Sequence, residues 1–279
     1  MGVRFPPRAL RVKILQVMTQ LVEFKNQKGE VLRGLFNEAQ SDKAVVFAHG
    51  FEWTTVERKF KNIVDALAGK INLFRFDFSG CGLSDGNFSD LTVDKLGREL
   101  ETALTLLREK GIKEFYLVAH SFGGCVALKT AIKNMAVKKI LFLAPAFNQK
   151  ELMRFWFVVS QMKKEPVEIT WENFKSYLNE EAFAQDVARR ERMTKEHLLL
   201  NDYFAQNEKV DFQNLFDELK LERENILIVH GDKDDKVPPK SNNKLPVEVE
   251  IITVRGGDHD LQRPDMTEQY LDGAVDFLT

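Results

Sequence analysis

One serine in the chain has neighbours that suit it to act as a nucleophile. Ser121 lies in the run Ala119-His120-Ser121-Phe122-Gly123, after the pattern of a buried strand and before that of a helix. A tight strand-to-helix turn admits only small residues two positions before and after such a serine; Gly123 fits, and Ala119 is small where glycine is usual. The turn would raise the hydroxyl above the strand and point the Phe122 N–H at a developing oxyanion. The alternative is a serine that only caps the helix.

A nucleophilic serine needs a general base, and His259 is the histidine best placed for that role. It is one of five histidines. It lies between a predicted strand and the last predicted helix, and Gly256 and Gly257 precede it. Because glycine adopts many backbone conformations, this loop can bring the imidazole over the end of the sheet. We therefore predict His259 as the base.

The acid that orients the base is expected at the end of the predicted strand at residues 226–229. Asp232, Asp234 and Asp235 follow that strand. Asp234 has the position of the acid in the recurring pattern HGxxDxxVP, which residues 230–238 match. The sequence favours Asp234 as the group that fixes the imidazole tautomer. Asp235 and Asp232 remain alternatives, and the other role for any of them is to hold the turn or face solvent.

A second oxyanion donor is expected in the loop after the predicted strand at residues 44–48. That loop begins His49-Gly50-Phe51, and the backbone N–H of Phe51 is the candidate. The remaining histidines near the motifs, His49, His120 and His230, are predicted to make structural hydrogen bonds rather than to catalyse. Cys81 lies in a glycine-rich loop without a histidine placed to activate it.

The order of the elements is typical of an α/β protein with a mainly parallel sheet flanked by helices. Short β-branched and aromatic runs recur, and helical patterns follow them. The predicted strands span residues 21–25, 31–37, 44–48, 72–76, 115–119, 139–143, 226–229 and 247–254. The first two are expected to form an antiparallel hairpin at an edge. Helices are predicted at residues 56–68, 92–110, from 122 onward, and 265–278.

The alternation of strand and helix stops between about residues 147 and 222. This stretch has helical patterns, no clear strand and many aromatic residues. A helical block inserted between two strands of a sheet predicts a lid over the end of the sheet. Most of its aromatic side chains are expected to pack, and a few, with Phe51 and Phe122, are expected to line an apolar pocket over Ser121.

Composition excludes several classes of protein. Hydrophobic residues make up 44%, charged residues 29%, and the net charge is −2, so neither nucleic acid nor an anionic membrane is an expected partner. The two cysteines, Cys81 and Cys125, have no zinc-site spacing. We expect no metal and no cofactor. Two reduced thiols and the lack of a membrane-length apolar run favour a cytoplasmic protein.

The first 19 residues are expected to lie outside the fold. They include four basic side chains and no acidic one, and Arg11 and Lys13 interrupt the apolar stretch that a secretory signal would need. Met18 is an alternative start. The predicted domain therefore spans residues 20–279.

Taken together, these motifs resemble the α/β-hydrolase superfamily. They are most similar to its lidded single-domain esterases, the cinnamoyl/feruloyl esterase and monoacylglycerol-lipase-like group. The resemblance covers roughly residues 20–279. It implies an α/β-hydrolase fold with an eight-stranded sheet, a triad of Ser121, Asp234 and His259, and no cofactor.

The expected activity is cleavage of carboxylic esters with small to medium acyl or aryl groups, through an acyl-enzyme. A thioesterase or a small peptide or amide hydrolase with the same triad is the first alternative. A non-catalytic ligand-binding protein of the same fold is an alternative of another class. A small-molecule ester would be the partner, and the chain would be a monomer or a homodimer.

Overall fold

The computed structural model describes residues 18–188, 191–193, 198–246 and 248–279. The predicted extension at residues 1–19 therefore falls mainly outside the described residues. Its last residue, Thr19, begins the first strand, where it pairs with Asn37 and accepts a side-chain hydrogen bond of 2.7 Å from it. This pairing extends the predicted hairpin by two residues at its start.

The strands of the described residues are β1 (Thr19–Lys25), β2 (Val31–Asn37), β3 (Lys43–Ala48), β4 (Asn72–Phe76), β5 (Glu114–His120), β6 (Val137–Leu143), β7 (Glu191–Met193), β8 (Leu198–Leu200), β9 (Ile226–Gly231) and β10 (Glu250–Val254). Eight of these strands form one sheet in the order β1-β2-β4-β3-β5-β6-β9-β10. In this sheet both pairings of β2 are antiparallel and the others are parallel. The prediction of a mainly parallel eight-stranded sheet is confirmed.

Helices flank the sheet on both faces, and others lie in the segment between β6 and β9. They are α1 (Arg58–Leu67), α2 (Val93–Glu109), α3 (Phe122–Lys133), α4 (Gln149–Met162), α5 (Glu180–Ala188), α6 (Asn201–Lys209), α7 (Pro264–Thr267) and α8 (Leu271–Leu278). The closing helix, predicted as continuous, is interrupted between α7 and α8. None of these helices is both long and apolar enough to span a membrane, as far as the described residues go.

The central strands place alternate side chains in two separate cores. In β3, Ala44, Val46 and Ala48 join the core that includes α2 and α3, whereas Val45 and Phe47 join the core that includes α1 and α8. This alternation follows from the two-residue period of a strand. Burial on both faces fixes the register of the strands, and with it the position of every loop at their carboxyl ends.

The segment between β6 and β9 contains α4, α5, α6 and the two short strands β7 and β8. The strands pair antiparallel over three residues each. The prediction that residues 147–222 contain no strand is therefore wrong at this point. The run of three leucines that forms β8 is short, and the period of so short an apolar run does not distinguish a strand from part of a helix.

Candidate active site

The predicted nucleophile occupies a strained turn between β5 and α3. Ser121 has φ 53° and ψ −119°, a left-handed conformation that is costly for a residue with a side chain. Its N–H donates to the carbonyl of Leu143 at 2.9 Å, which ties the turn to β6. A Cβ at Gly123 would lie 2.4 Å from the carbonyl oxygen of Ala48. Glycine is therefore required there, because the first turn of α3 packs directly on the end of β3.

Three of the predicted side chains form a hydrogen-bonded row. The Ser121 Oγ lies 2.9 Å from His259 Nε2, and His259 Nδ1 lies 2.8 Å from Asp234 Oδ2. All three residues are buried. Because an ionised carboxylate only accepts hydrogen bonds, Nδ1 carries the proton and Nε2 accepts from the serine hydroxyl. This tautomer leaves Nε2 able to take the serine proton.

Asp234 is held ionised by the loop that carries it. Its Oδ1 accepts from the backbone N–H groups of Lys236 and Val237 at 3.0 and 2.8 Å. Its Oδ2 accepts from His230 Nε2 at 3.1 Å as well as from His259. Burial raises the pKa of Asp234, but the hydrogen bonds from His230 and His259 outweigh that effect and bring it to about 2.

The two alternative acids face away from His259. Asp232 and Asp235 are exposed. Asp232 accepts from the backbone N–H of Gly256 at 2.7 Å and so joins the acid loop to the loop of the base. Asp235 makes no hydrogen bond to His259 among the described residues, and with Asp232 and Asp234 it lines a cavity of about 710 Å³. Of the three aspartates in this loop, the structure brings only Asp234 to the imidazole.

Two further histidines have the structural hydrogen bonds predicted for them. His230 Nε2 lies 2.9 Å from the carbonyl oxygen of Val237 and so closes the acid loop. His49 Nδ1 contacts the carbonyl oxygen of Gly50 at 2.8 Å, and its Nε2 accepts from the N–H of Phe78 at 3.0 Å. Burial lowers the pKa of His49, which keeps the ring neutral.

The loop after β3 runs directly against the serine. A Cβ at Gly50 would lie 2.9 Å from His120 Nδ1 and 3.2 Å from Ser121 Cβ. The next residue is Phe51, one of the two predicted donors to an oxyanion. The other predicted donor, Phe122, is the first residue of α3, where a backbone N–H has no partner within the helix. The structure thus places both predicted donors beside the turn that carries Ser121.

Aromatic rings cover this part of the sheet. The ring centroids of Phe51 and Phe122 lie 6.1 Å apart, and the Tyr203 ring of α6 lies 5.5 Å from each. Phe88 packs on Phe51 at 5.1 Å. The Tyr203 hydroxyl donates to Gln149 Oε1 at 3.4 Å, which links α6 to α4. The rings of Phe51, Phe122 and Tyr203 therefore form an apolar cluster next to the turn of Ser121, and the hydroxyl of Tyr203 is hydrogen-bonded to a buried glutamine.

The cysteines are poor candidates for a nucleophile. Both Cys81 and Cys125 are free and buried. Burial raises the pKa of Cys81 to about 12 and that of Cys125 well above its ordinary value, so both remain thiols. Within the ranges that the structure describes, no three His, Cys, Asp or Glu side chains converge to hold a metal ion.

Sequence reasoning missed two charged residues near this row, Glu57 and Lys59. Both are buried at the start of α1. The signal was present in the pattern of α1, where the buried residues are Lys59, Phe60, Ile63, Val64 and Leu67. A lysine in the apolar stripe of an amphipathic helix indicates a buried charge that needs a partner.

The sequence profile of the Alpha/beta hydrolase family matches residues 45–272, from β3 to α8. The chain belongs to the Alpha/beta hydrolase family. The resemblance predicted from its motifs is thereby confirmed, and the matched range includes Ser121, Asp234 and His259.

Relatives of this alpha/beta hydrolase match part of its length. A protein of Arabidopsis thaliana named "Probable lysophospholipase BODYGUARD 1" is 33% identical over 117 residues, which are 40% of this chain and 24% of the relative. A protein of Mycoplasma pneumoniae named "Putative esterase/lipase 2" is 31% identical over 121 residues, 42% of this chain and 41% of the relative. The matches thus span well under half of either relative.

Solved structures share the fold of this alpha/beta hydrolase over almost the whole chain. Est1E from Butyrivibrio proteoclasticus with bound ferulic acid has a TM-score of 0.71 at 19% identity, covering 92% of this chain and 97% of Est1E. The Pyrococcus furiosus esterase PF2001 has a TM-score of 0.67 at 17% identity, covering 94% and 91%. At these identities the likeness concerns the fold.

Proposed function

We propose that this chain is a serine hydrolase that cleaves carboxylic esters through an acyl-enzyme, with Ser121 as nucleophile, His259 as general base and Asp234 as the orienting acid. The observation that carries the proposal is the hydrogen-bonded row from Ser121 Oγ through the imidazole to the Asp234 carboxylate, at 2.9 and 2.8 Å. A weakly acidic hydroxyl becomes a useful nucleophile when a base so oriented takes its proton during attack.

In the acylation step, Ser121 Oγ attacks the ester carbonyl carbon while His259 Nε2 takes the hydroxyl proton. The imidazolium that forms lies beside an ionised Asp234, whose low pKa keeps its charge available. The backbone N–H groups of Phe51 and Phe122 donate to the oxyanion. The intermediate then expels the alcohol, which leaves with the proton from His259, and the acyl group stays on Ser121.

Deacylation repeats the same steps with water in place of the serine. His259 Nε2 takes a proton from water as the water oxygen attacks the acyl carbon. The second intermediate expels Ser121 Oγ, which recovers its proton from the imidazolium. The products are a carboxylic acid and the free enzyme, and no cofactor enters the balance.

The rings of Phe51, Phe122 and Tyr203 support small to medium acyl or aryl groups as the substrate class. They form an apolar wall, with centroids 5.5 to 6.1 Å apart, and one of them, Phe122, directly follows the proposed nucleophile in the chain. Such a wall favours burial of apolar substrate groups. The relatives' printed names, "Probable lysophospholipase BODYGUARD 1" and "Putative esterase/lipase 2", agree with an ester as substrate, and the ferulic acid bound to Est1E is an aryl carboxylic acid of the kind that ester cleavage releases.

We also propose that residues 147–222 act as a lid, because the ring of Tyr203 in this segment packs on the rings of Phe51 and Phe122, the two residues proposed to donate to the oxyanion. Substrate would enter by displacing α6 from Phe51 and Phe122. The lid would then set the size of acyl group that the enzyme accepts.

The test is hydrolysis of p-nitrophenyl esters of increasing chain length and of methyl ferulate by wild type and by Ser121→Ala. Wild type is expected to turn over, and the variant is expected to lose about 10⁴-fold or more in kcat. Ser160→Ala, which removes a hydroxyl from the exposed end of α4, is the matched control and should retain wild-type rates.

The outcomes separate the alternatives. Faster cleavage of matched thioesters or amides than of esters would replace the ester by that substrate class. Turnover that persists in Ser121→Ala would remove the serine from the mechanism. A wild type that binds esters without cleaving them would make the chain a ligand-binding member of the family.

A further inference from the structure

An ion pair is buried at the start of α1, close to the proposed active site. Glu57 precedes the helix and is 5% exposed, and Lys59, in its first turn, is 0% exposed. The ammonium group of Lys59 contacts the Glu57 carboxylate and lies 5.2 Å from the centroid of the Trp53 ring. Two charges taken out of water seldom recover the lost hydration through their mutual attraction. Stability therefore gives no sufficient reason for this pair.

Glu57 also fails to do what its position in the helix would suggest. It is the N-cap residue of α1, where a side-chain oxygen usually accepts from the backbone N–H groups of the first turn, but its side chain makes no such bond. The carboxylate turns inward instead, and its Oε2 lies 3.8 Å from His120 Nδ1. The side chain is thus directed at the residue that precedes the nucleophile.

His120 connects this pair to the base. The ring is fully buried, and its Nε2 lies 3.0 Å from the backbone carbonyl oxygen of His259. A carbonyl only accepts, so Nε2 carries a proton and donates it to that bond. The imidazole rings of His120 and His259 also pack with centroids 4.9 Å apart. One row of contacts therefore runs from Lys59 through Glu57 and His120 to the base.

We propose that Glu57 and Lys59 are positioning residues, which hold His120 in the orientation that fixes the backbone and ring of His259 beside Ser121. This inference rests on the proposed function, because it gives these residues a role in the reaction of that site.

The positions of the protons on His120 and Glu57 follow from the single N–H that a neutral imidazole carries. Burial lowers the pKa of His120 well below its ordinary value, so the ring is neutral and has one N–H. That proton is on Nε2, and the bare Nδ1 faces Glu57. Burial raises the pKa of Glu57 to about 7, although Lys59 beside it acts in the opposite direction. Glu57 can therefore exchange a proton near neutral pH while its Oε2 faces Nδ1 at 3.8 Å.

Charged groups on other elements also act on this pair. Asp77 follows β4 and accepts from the N–H of Thr55 at 2.6 Å. Asp260 follows the base and pairs with Lys236 of the acid loop at 3.2 Å. The negative Asp77 and Asp260 favour the protonated form of Glu57. Asp260 of the base loop and Lys236 of the acid loop thus both act on the charges of the pair.

The experiment compares wild type with the double variant Glu57→Gln/Lys59→Met, which removes both charges and leaves no single buried ion. With p-nitrophenyl butyrate, kcat is expected to fall about tenfold or more while KM stays within about twofold, because a displaced base slows chemistry rather than binding. The pH dependence of kcat is also expected to change shape, because Glu57 no longer ionises beside His120.

The matched control is Lys61→Met/Asp65→Asn, which removes an exposed ion pair from the same helix and should retain the wild-type kcat and pH profile. A folded Glu57→Gln/Lys59→Met protein with the kcat and pH profile of wild type would overturn the inference. A variant that loses only thermal stability would do the same.

A measurement on wild type decides the matter even where the double variant does not fold. Two-bond proton–nitrogen correlation on protein labelled with 15N-histidine reports the tautomer of His120. The inference requires Nε2–H with a bare Nδ1 at neutral pH, and an Nδ1–H tautomer would overturn it. This result does not depend on turnover, so failure of the proposed function in the ester assay is distinguishable from failure of this inference.

Discussion

Two buried carboxylates lie near the proposed base, Asp234 in direct contact with it and Glu57 behind His120, and their surroundings give them very different pKa values. Asp234 accepts hydrogen bonds from two backbone N–H groups and two histidines, and its pKa is about 2. Glu57 has one buried cation, Lys59, as its partner, and among the described residues no backbone N–H and no histidine donates a hydrogen bond to its carboxylate. Burial raises its pKa to about 7.

The difference shows that burial alone does not fix the charge of an acid. Each is close to full burial, so the desolvation cost is similar, and the number of donors decides which form is stable. A permanently charged Asp234 suits a group that must balance an imidazolium. A Glu57 that exchanges its proton near neutral pH suits a group that adjusts a neighbouring ring. Pairs of acids whose pKa values are pushed apart by their surroundings are common in active sites, where the two acids have different roles.

The largest effect is expected from removing the charge of Asp234. Asp234→Asn can donate to His259 Nδ1 and so favours the wrong tautomer, and kcat for p-nitrophenyl esters is expected to fall about 10⁴-fold. Asp235→Asn, on the exposed neighbouring residue, is the control and should keep the wild-type kcat. Equal losses in both variants would mean that Asp234 is not the orienting acid.

Removing one hydrogen-bond donor to Asp234 should raise its pKa towards that of Glu57. His230→Phe deletes the hydrogen bond at 3.1 Å, so the pKa of Asp234 is expected to rise and kcat to fall about tenfold as the acid loop loosens. In wild type, the low pKa of Asp234 contributes stability that is lost as pH falls from about 3.8 towards about 2.

In His230→Phe this contribution should be smaller and its loss should be complete at a higher pH, so the protein should unfold at a higher pH on acidification. Acid unfolding followed by circular dichroism measures the shift. An acid transition at the same pH in both proteins would show that His230 does not hold the Asp234 charge.

The smallest effect is expected in the pH dependence of stability that Glu57 confers. The unfolded chain releases this proton near pH 4.5 and the folded chain near 7, so the folded state binds more protons between these values. The stabilisation is present below about 4.5 and is lost as pH rises through about 7. The slope reaches at most about 1.4 kcal/mol per pH unit, the value for one proton.

Urea unfolding of wild type and of Glu57→Gln/Lys59→Met at several pH values in this window measures that contribution. As pH rises through this window, the free energy of unfolding of wild type should fall relative to that of the double variant. A difference that does not change with pH would assign Glu57 a pKa outside the window.

Local rules predicted the fold and the placement of the row. The demand for small residues beside Ser121 is a property of one turn, and the close contact of Gly123 with β3 is its structural counterpart. The loops that carry Asp234 and His259 follow parallel strands, and the carboxyl ends of such strands meet at one edge. The structure brings these side chains together, and their catalytic role remains a prediction.

Features that depend on contacts between distant segments were not predictable. Lys59 interrupts an apolar stripe, but nothing in its spacing indicates that His120, about 60 residues later, is the neighbour of its partner. The short pair of β7 and β8 was also missed, because strands of three residues carry too little pattern. The expected lid matches no sequence motif, and because the lid is proposed to set the acyl group, the sequence does not identify the substrate.

The central claim is that Ser121 is an activated nucleophile, and covalent labelling by a fluorophosphonate tests it most directly. Mass spectrometry of the digested protein is expected to find one adduct, on the peptide that contains Ser121. Labelling should be absent in Ser121→Ala and slowed strongly in Asp234→Asn. A wild type that carries no adduct on Ser121, or that is labelled at the same rate when Asp234 is changed, would contradict the account.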